Sequence, residues 1–246
     1  MKSGRRFISS SVFAFACLFC PALADTGPCK PYPPLEVLVC GSGDGAAIVI
    51  RDTVSPSKKF ALAWRTVDAP PFQEPEGQID LVVIRLEDGG ILSKTSTEYW
   101  DTGEAHANRL QEHAFWSPDS KFMIRESTSR FSSDVVELYT IGAEDIVRGP
   151  FDLLSLIEPP LHKRLKPYEA DADGFTLAIA AKGENEKTVE IDDRGRFRIE
   201  VMLWAPKEGP MYYYTVHGEA ERAKSAKDKP RARIVSIRYR GVEKSN

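Results

Sequence analysis

A short phrase written twice constrains this chain more than any other feature. The first copy is Val54-Ser55-Pro56-Ser57-Lys58-Lys59-Phe60-Ala61-Leu62, and the second is Trp116-Ser117-Pro118-Asp119-Ser120-Lys121-Phe122-Met123-Ile124. Each joins turn-forming residues to a basic residue, a phenylalanine and an apolar run, which is the pattern of a strand leaving a tight turn. A recurring hairpin implies a repeated β-sheet unit. The phrase therefore constrains architecture and leaves the chemistry open.

Strand signals dominate the remainder. Segments such as Ala46 to Arg51, Leu81 to Leu86, Val135 to Ile141, Phe197 to Trp204, Met211 to Val216 and Arg233 to Tyr239 are short and rich in β-branched or aromatic residues, with Gly, Pro, Asp and Ser between them. They predict an all-β protein built from two or three antiparallel meander sheets, either partial-propeller-like or stacked. One stretch departs from the pattern. Residues 151–166 carry helical apolar spacing with Asp152 as N-cap and Pro159-Pro160 inside, which predicts two short helical turns linking the second sheet to the third.

The segment Phe115-Trp116-Ser117-Pro118-Asp119-Ser120-Lys121-Phe122-Met123-Ile124 resembles the strand–turn–strand signature of TolB-type and WD-like β-propeller repeats, whose usual turn is Ser-Pro-Asp-Gly. Ser120 stands where that signature has Gly, and the first copy has Ser57 and Lys58 in place of Asp-Gly. A third, degenerate copy is read at Val189-Glu190-Ile191-Asp192-Asp193-Arg194-Gly195-Arg196-Phe197-Arg198-Ile199, with Asp193-Arg194-Gly195 as its turn and Arg196-Phe197 repeating the basic–Phe step. The resemblance implies repeat units at about 46–98, 110–148 and 187–240 within a single domain, residues 25–246. Three units are too few for a closed ring, which usually needs about four to eight blades. The whole chain also resembles small exported bacterial proteins, a likeness that carries over no site.

Residues 1–24 read as a signal peptide. Lys2, Arg5 and Arg6 precede an apolar stretch from Phe7 to Phe19, and Ala22-Leu23-Ala24 offers a cleavage site before Asp25. The expected location is the periplasm or the exterior, with no membrane span after cleavage. Cys17 and Cys20 leave with the signal, so Cys29 and Cys40 remain and are expected to form a disulfide that clips the Pro-rich N-terminal strand to the first sheet. The rival reading makes Cys40 a nucleophile. From Gly218 onward there are nine Lys/Arg against four Asp/Glu. Arg231, Arg233, Arg238 and Arg240 read as the solvent face of a final strand and not as a nucleic-acid surface.

Catalytic signals are sparse. His106, His113, His162 and His217 are scattered without metal-ligand spacing, so no metal or cofactor is expected. Gly41-Ser42-Gly43-Asp44-Gly45 reads as a turn, because no helix pattern follows to hold a phosphate. The loop Tyr99-Trp100-Asp101-Thr102-Gly103-Glu104-Ala105-His106 is the densest set of reactive types. Asp101 and Glu104 suit a carboxylate pair, with Tyr99 and Trp100 as a sugar-stacking platform. Two further loops follow the repeated phrases, one with Phe72 and one with Arg130 and Phe131, residue types enriched at interfaces. If the copies are equivalent, both loops leave on one side. The preferred reading is a non-enzymatic exported protein that binds a protein or envelope component through Phe72, Arg130, Phe131, Tyr99 and Trp100, with its oligomeric state open. The alternative is a saccharide or ester hydrolase using Asp101, Glu104 and His106.

Overall fold

A computed structural model describes residues 27–66, 79–98, 111–129, 132–167, 169, 174–180, 183, 186–205, 209–222 and 228–243. These residues form three antiparallel sheets and one α-helix, so the chain is all-β with one short helix. The first sheet has six strands in chain order: β1 (Cys29–Tyr32), β2 (Val37–Cys40), β3 (Ala47–Val49), β4 (Phe60–Thr66), β5 (Ile79–Arg85) and β6 (Ile91–Glu98). The second is a four-stranded meander of β7 (Gln111–Trp116), β8 (Phe122–Thr128), β9 (Ser133–Ile141) and β10 (Val147–Asp152). In the third, β11 (Thr176–Ile179) and β12 (Val189–Ile191) share one edge of β13 (Arg196–Trp204). The strands β14 (Met211–Glu221) and β15 (Arg231–Glu243) follow on the other side.

The second sheet is packed on both faces, which is why β8 opens with an unbroken apolar run instead of an alternation. On one face Met123 and Tyr139 meet Leu62 and Val83 of the first sheet. On the other, Phe122, Ile124, Val136 and Leu138 meet Phe197, Ile199, Val201 and Leu203 of the third. The remaining face of the first sheet is folded onto itself. The Cys29 N–H donates to Leu86 O, although three strands separate β1 from β5 in the sheet order. The space enclosed is narrow, and it is lined by Ala47, Ala61 and Ala63 beside Cys40, Val49, Val82 and Ile84. Cys29 and Cys40 are directly paired across β1 and β2 and joined by a disulfide, as the sequence predicts. Gly89 lies where the hairpin meets the β5–β6 turn. It holds φ +68°, and a Cβ there would sit 2.3 Å from Gly27 O, so only glycine fits.

The helix α1 (Leu154–Leu165) joins the second sheet to the third but is continuous, contrary to the expected pair of short turns. Asp152 does accept the Ser155 N–H at 3.0 Å. Pro159 and Pro160 lie inside the helix, where each removes a backbone donor at a cost of about 3 kcal/mol. Leu153 and the stripe Ile157, Leu161, Leu165 are fully buried in the core between the second and third sheets, and burial at about 1.5–3 kcal/mol per large side chain holds the helix through that cost.

The repeated phrase folds the same way twice. In the first turn the Lys58 N–H donates to Ser55 O, the Ser55 N–H to Phe60 O, and the Phe60 N–H to Ser55 Oγ. In the second the Ser120 N–H donates to Ser117 O, the Ser117 N–H to Phe122 O, and the Phe122 N–H to Ser117 Oγ. Lys58 and Ser120 take φ of +57° and +58°, the left-handed conformation that glycine would adopt freely. The third turn, Asp192 to Gly195, has the same start: the Gly195 N–H donates to Asp192 O, with Gly195 at φ +80°. It then closes one residue earlier, because the Asp192 N–H donates to Arg196 O. A slip of one residue sends every following side chain to the opposite face. Phe197 therefore points inward, and Arg196, Arg198 and Glu200 occupy the face equivalent to that of Phe60 and Phe122. No sheet follows on that side among the described residues. The face is filled by ion pairs such as Arg196–Asp192, Arg198–Glu200 and Arg233–Glu219.

Candidate functional site

The three turns touch one another. The Ser57 N–H donates to Ser120 Oγ at 3.0 Å, and the Asp119 N–H donates to Asp193 Oδ1 at 2.7 Å. Arg222 joins the second and third turns, donating to Asp119 Oδ2 at 2.7 Å and Asp193 O at 3.0 Å, with its guanidinium 4.9 Å above the Phe122 ring. Burial raises the proton affinity of Asp119, but the Ser117 hydroxyl, the Lys121 N–H and Arg222 outweigh it and hold the carboxyl below its ordinary value. One end of the stack is thus a seam of turns whose polar groups are committed to each other.

The strands β4, β8 and β13 all start at this seam and run away from it, so they finish together at the opposite end. There the spaces between sheets change from apolar to charged. Between the first and second sheets, Arg125 is 0 % exposed and forks onto Glu112, Nε to Oε2 at 2.9 Å and Nη2 to Oε1 at 3.0 Å. Its Nη1 donates to Glu137 Oε2 at 2.7 Å, and the Tyr139 hydroxyl donates to the same oxygen at 2.8 Å. Burial pushes the Glu112 carboxyl up even against the opposing effect of Arg125, and burial with Glu137 nearby pushes the Tyr139 hydroxyl up as well. On the concave face of the first sheet, buried Asp80 accepts from Lys94 at 2.7 Å and from Arg65 at 3.3 Å.

On the other face of the second sheet Glu126, 4 % exposed, accepts the Ser133 hydroxyl at 2.5 Å. Ser133 Oγ in turn accepts the Ile179 N–H of β11 at 2.8 Å, a polar link from the second sheet to the third. Burial, with a smaller contribution from Glu112, pushes Glu126 up to about 7, against the lowering effect of the Ser133 and Thr128 hydroxyls. In the same layer Tyr212 donates to Glu169, and burial together with that carboxylate pushes the phenol up to about 12. Buried ionisable groups with shifted proton affinities mark functional sites and structural ion-pair networks alike. Here Arg125, Glu112 and Glu137 are closed off and mutually satisfied, which suits a rigid foundation beneath the loop end.

The residues singled out for binding, Phe72, Arg130, Phe131, Tyr99 and Trp100, lie outside the described residues, as do Asp101, Glu104 and His106. Their anchors are described. The loop carrying Arg130 and Phe131 is closed by the Ser129 N–H donating to Ser132 O at 2.9 Å, and by the Ser132 hydroxyl donating to Asp134. Two open grooves lie away from this end. One, of about 580 Å³, runs between β7 and β12 beside Trp116, Pro118 and His217, and its two arginines, Arg196 and Arg198, are paired with Asp192 and Glu190. The other, of about 520 Å³, is lined by Pro31, Tyr32, Val37, Leu38 and Val54. Sequence reading missed the buried charges. Their signal was a Glu within the apolar run Val135-Val136-Glu137-Leu138-Tyr139, and an Arg-Glu pair inside a strand buried on both faces. The chain matches no protein-family model, and a search of curated proteins returns no match.

Proposed function

We propose that the chain is an exported, non-catalytic binding protein. Its three meanders act as blades of an open, propeller-like stack, and the loops at the end opposite the turn seam engage a protein or envelope component. The observation that supports this reading is the seam itself. The Ser57–Ser120 bond holds the β3–β4 and β7–β8 turns side by side, and β4 and β8 each run seven residues from there before their loops begin. Phe72 and the Arg130-Phe131 pair belong to the loops that follow those two strands, and Tyr99 and Trp100 follow β6. The buried charge clusters supply a stiff base for such loops, and a paratope on a rigid scaffold loses less freedom on binding.

Crosslinking in the native envelope, followed by recovery of the tagged chain, tests the reading. The parent should retain a specific partner that the Phe72→Ala/Phe131→Ala variant loses while keeping its melting temperature. Equal recovery by both would refute it. So would a measured hydrolysis of saccharide or ester substrates that disappears in Asp101→Asn/Glu104→Gln.

A further inference from the structure

The thirteen-residue β15 is the longest strand among the described residues, and it forms an edge of the third sheet. Among the described residues only β14 pairs with it. Other edges are blunted or covered. Pro31 interrupts β1, β6 lies against β10, and β12 lies against β7 and β8. Along β15 no residue is buried, and Val235 and Tyr239 are 57 % and 53 % exposed.

The two faces of this edge differ in chemistry. Pairing with β14 sets Arg231, Arg233 and Arg238 opposite Glu221, Glu219 and Thr215 on the outer face. Ala232, Ile234 and Ile237 turn inward and pack at the margin of the core. Arg233 is paired with Glu219, whereas no carboxylate among the described residues lies within ion-pairing distance of Arg231 or Arg238. The register shifts between Tyr213 and Tyr214 and between His217 and Gly218, which leaves Val235 and Arg240 as bulges on β15. Bulges and edge cations discourage long edge-to-edge association. They leave Arg231–Ile234 and Ser236–Tyr239 as two regular stretches of a length that suits a short peptide.

We propose that β15 receives a short extended segment of a partner protein, added as a further antiparallel strand, in which acidic and apolar residues alternate. Its carboxylates lie beside Arg231 and Arg238 on the outer face, and its apolar side chains beside Ile234, Ile237 and Tyr239 on the inner one. Main-chain hydrogen bonds to an open edge supply affinity in this mode, and alternate side chains supply selectivity. A second copy of the chain is disfavoured, because it brings a strand bearing the same four arginines. The inference stands apart from the loop-end reading, since β15 contributes nothing to those loops.

The test uses the mature chain and three fluorescein-labelled heptapeptides: alternating Glu and Val, alternating Lys and Val, and the acidic peptide with its central Val replaced by Pro. Fluorescence anisotropy should show binding of the acidic peptide alone, weakening as salt rises. The Arg231→Glu/Arg238→Glu variant should bind it about tenfold more weakly and turn its preference to the Lys peptide. Hydrogen exchange of the Arg231–Glu243 amides should slow in the acidic complex. Failure of the acidic peptide to bind, equal binding of the Pro or Lys peptide, or an unaltered variant would overturn the proposal. A solution mass of two chains with β15 amides already protected would overturn it in favour of self-association.

Discussion

Replacing Glu126 with Gln should stabilise the protein at neutral and alkaline pH and leave it nearly unchanged in acid. Glu126 is 4 % exposed, and burial is the main cause of its carboxyl's rise from an ordinary 4.5 to about 7. Because the folded state holds this proton more tightly than the unfolded chain, the associated stability is fully present below pH 4.5. It is lost progressively as pH rises toward 7 and through it. Each tenfold change in proton affinity is worth about 1.4 kcal/mol, so the wild type should lose about 3 kcal/mol relative to Glu126→Gln between pH 4 and pH 8. Gln keeps the shape and can still accept the Ser133 hydroxyl through its carbonyl oxygen, so the link to Ile179 survives. Urea unfolding of both proteins across that range measures the difference directly: titrating groups remote from Glu126 cancel in the subtraction, and the coupling to Glu112 adds only the smaller contribution. A difference that stays flat with pH, or that grows toward acid, would refute the reasoning. Ser133→Ala supplies an internal control. Removing the hydroxyl that favours the ionised carboxylate should deepen the loss at pH 8.

Three further perturbations probe the frame. Lys58→Gly should gain up to about 1 kcal/mol by relieving a left-handed residue whose side chain is exposed, and Ser120→Gly should gain less because its hydroxyl accepts the Ser57 N–H; thermal melts rank the two. Arg125→Met should cost about 3–5 kcal/mol in urea unfolding by leaving Glu112 and Glu137 buried without their cation, and replacing both glutamates with Leu in the same chain should recover most of it. Cys29→Ser/Cys40→Ser should lower stability by about 2–3 kcal/mol, a loss that vanishes when both proteins are compared under reducing conditions.

The layout of the sheets was largely legible because turn chemistry and strand period are local properties. The disulfide and the solvent-facing arginines of the last strand were readable for the same reason. Two features depended on tertiary context. Gly149-Pro150 hides β10, which tolerates the proline only because it is an edge strand whose register breaks between Arg148 and Phe151. The helix persists through Pro159-Pro160 because the stripe it buries outweighs the lost donors. The third turn carries a subtler lesson. The basic–Phe step repeats in its letters, yet a hydrogen bond closing at Arg196 instead of Phe197 inverts the strand, and no pattern of residue types announces that slip. The interior charges were hidden because a charged pair normally ends a strand, whereas β8 continues from Arg125 and Glu126 to Thr128. The proposed binding residues sit on loops, where sequence offers residue types and little geometry.

The seam of turns has a direction. Each turn offers the N–H of its third residue to a side chain of the next, Ser57 to Ser120 and Asp119 to Asp193. The third turn gives the corresponding N–H, that of Arg194, to its own Asp192 at 2.9 Å. At the other end, the two positions whose side chains accept in later turns are occupied in the first by Pro56 and Lys58, neither of which has a side-chain acceptor. Among the described residues the row therefore has a written start and a written stop, and a count of three turns is carried in the side chains of Pro56, Lys58 and Asp192. Lengthening such a protein by duplication would require rewriting those residues before any new core could form.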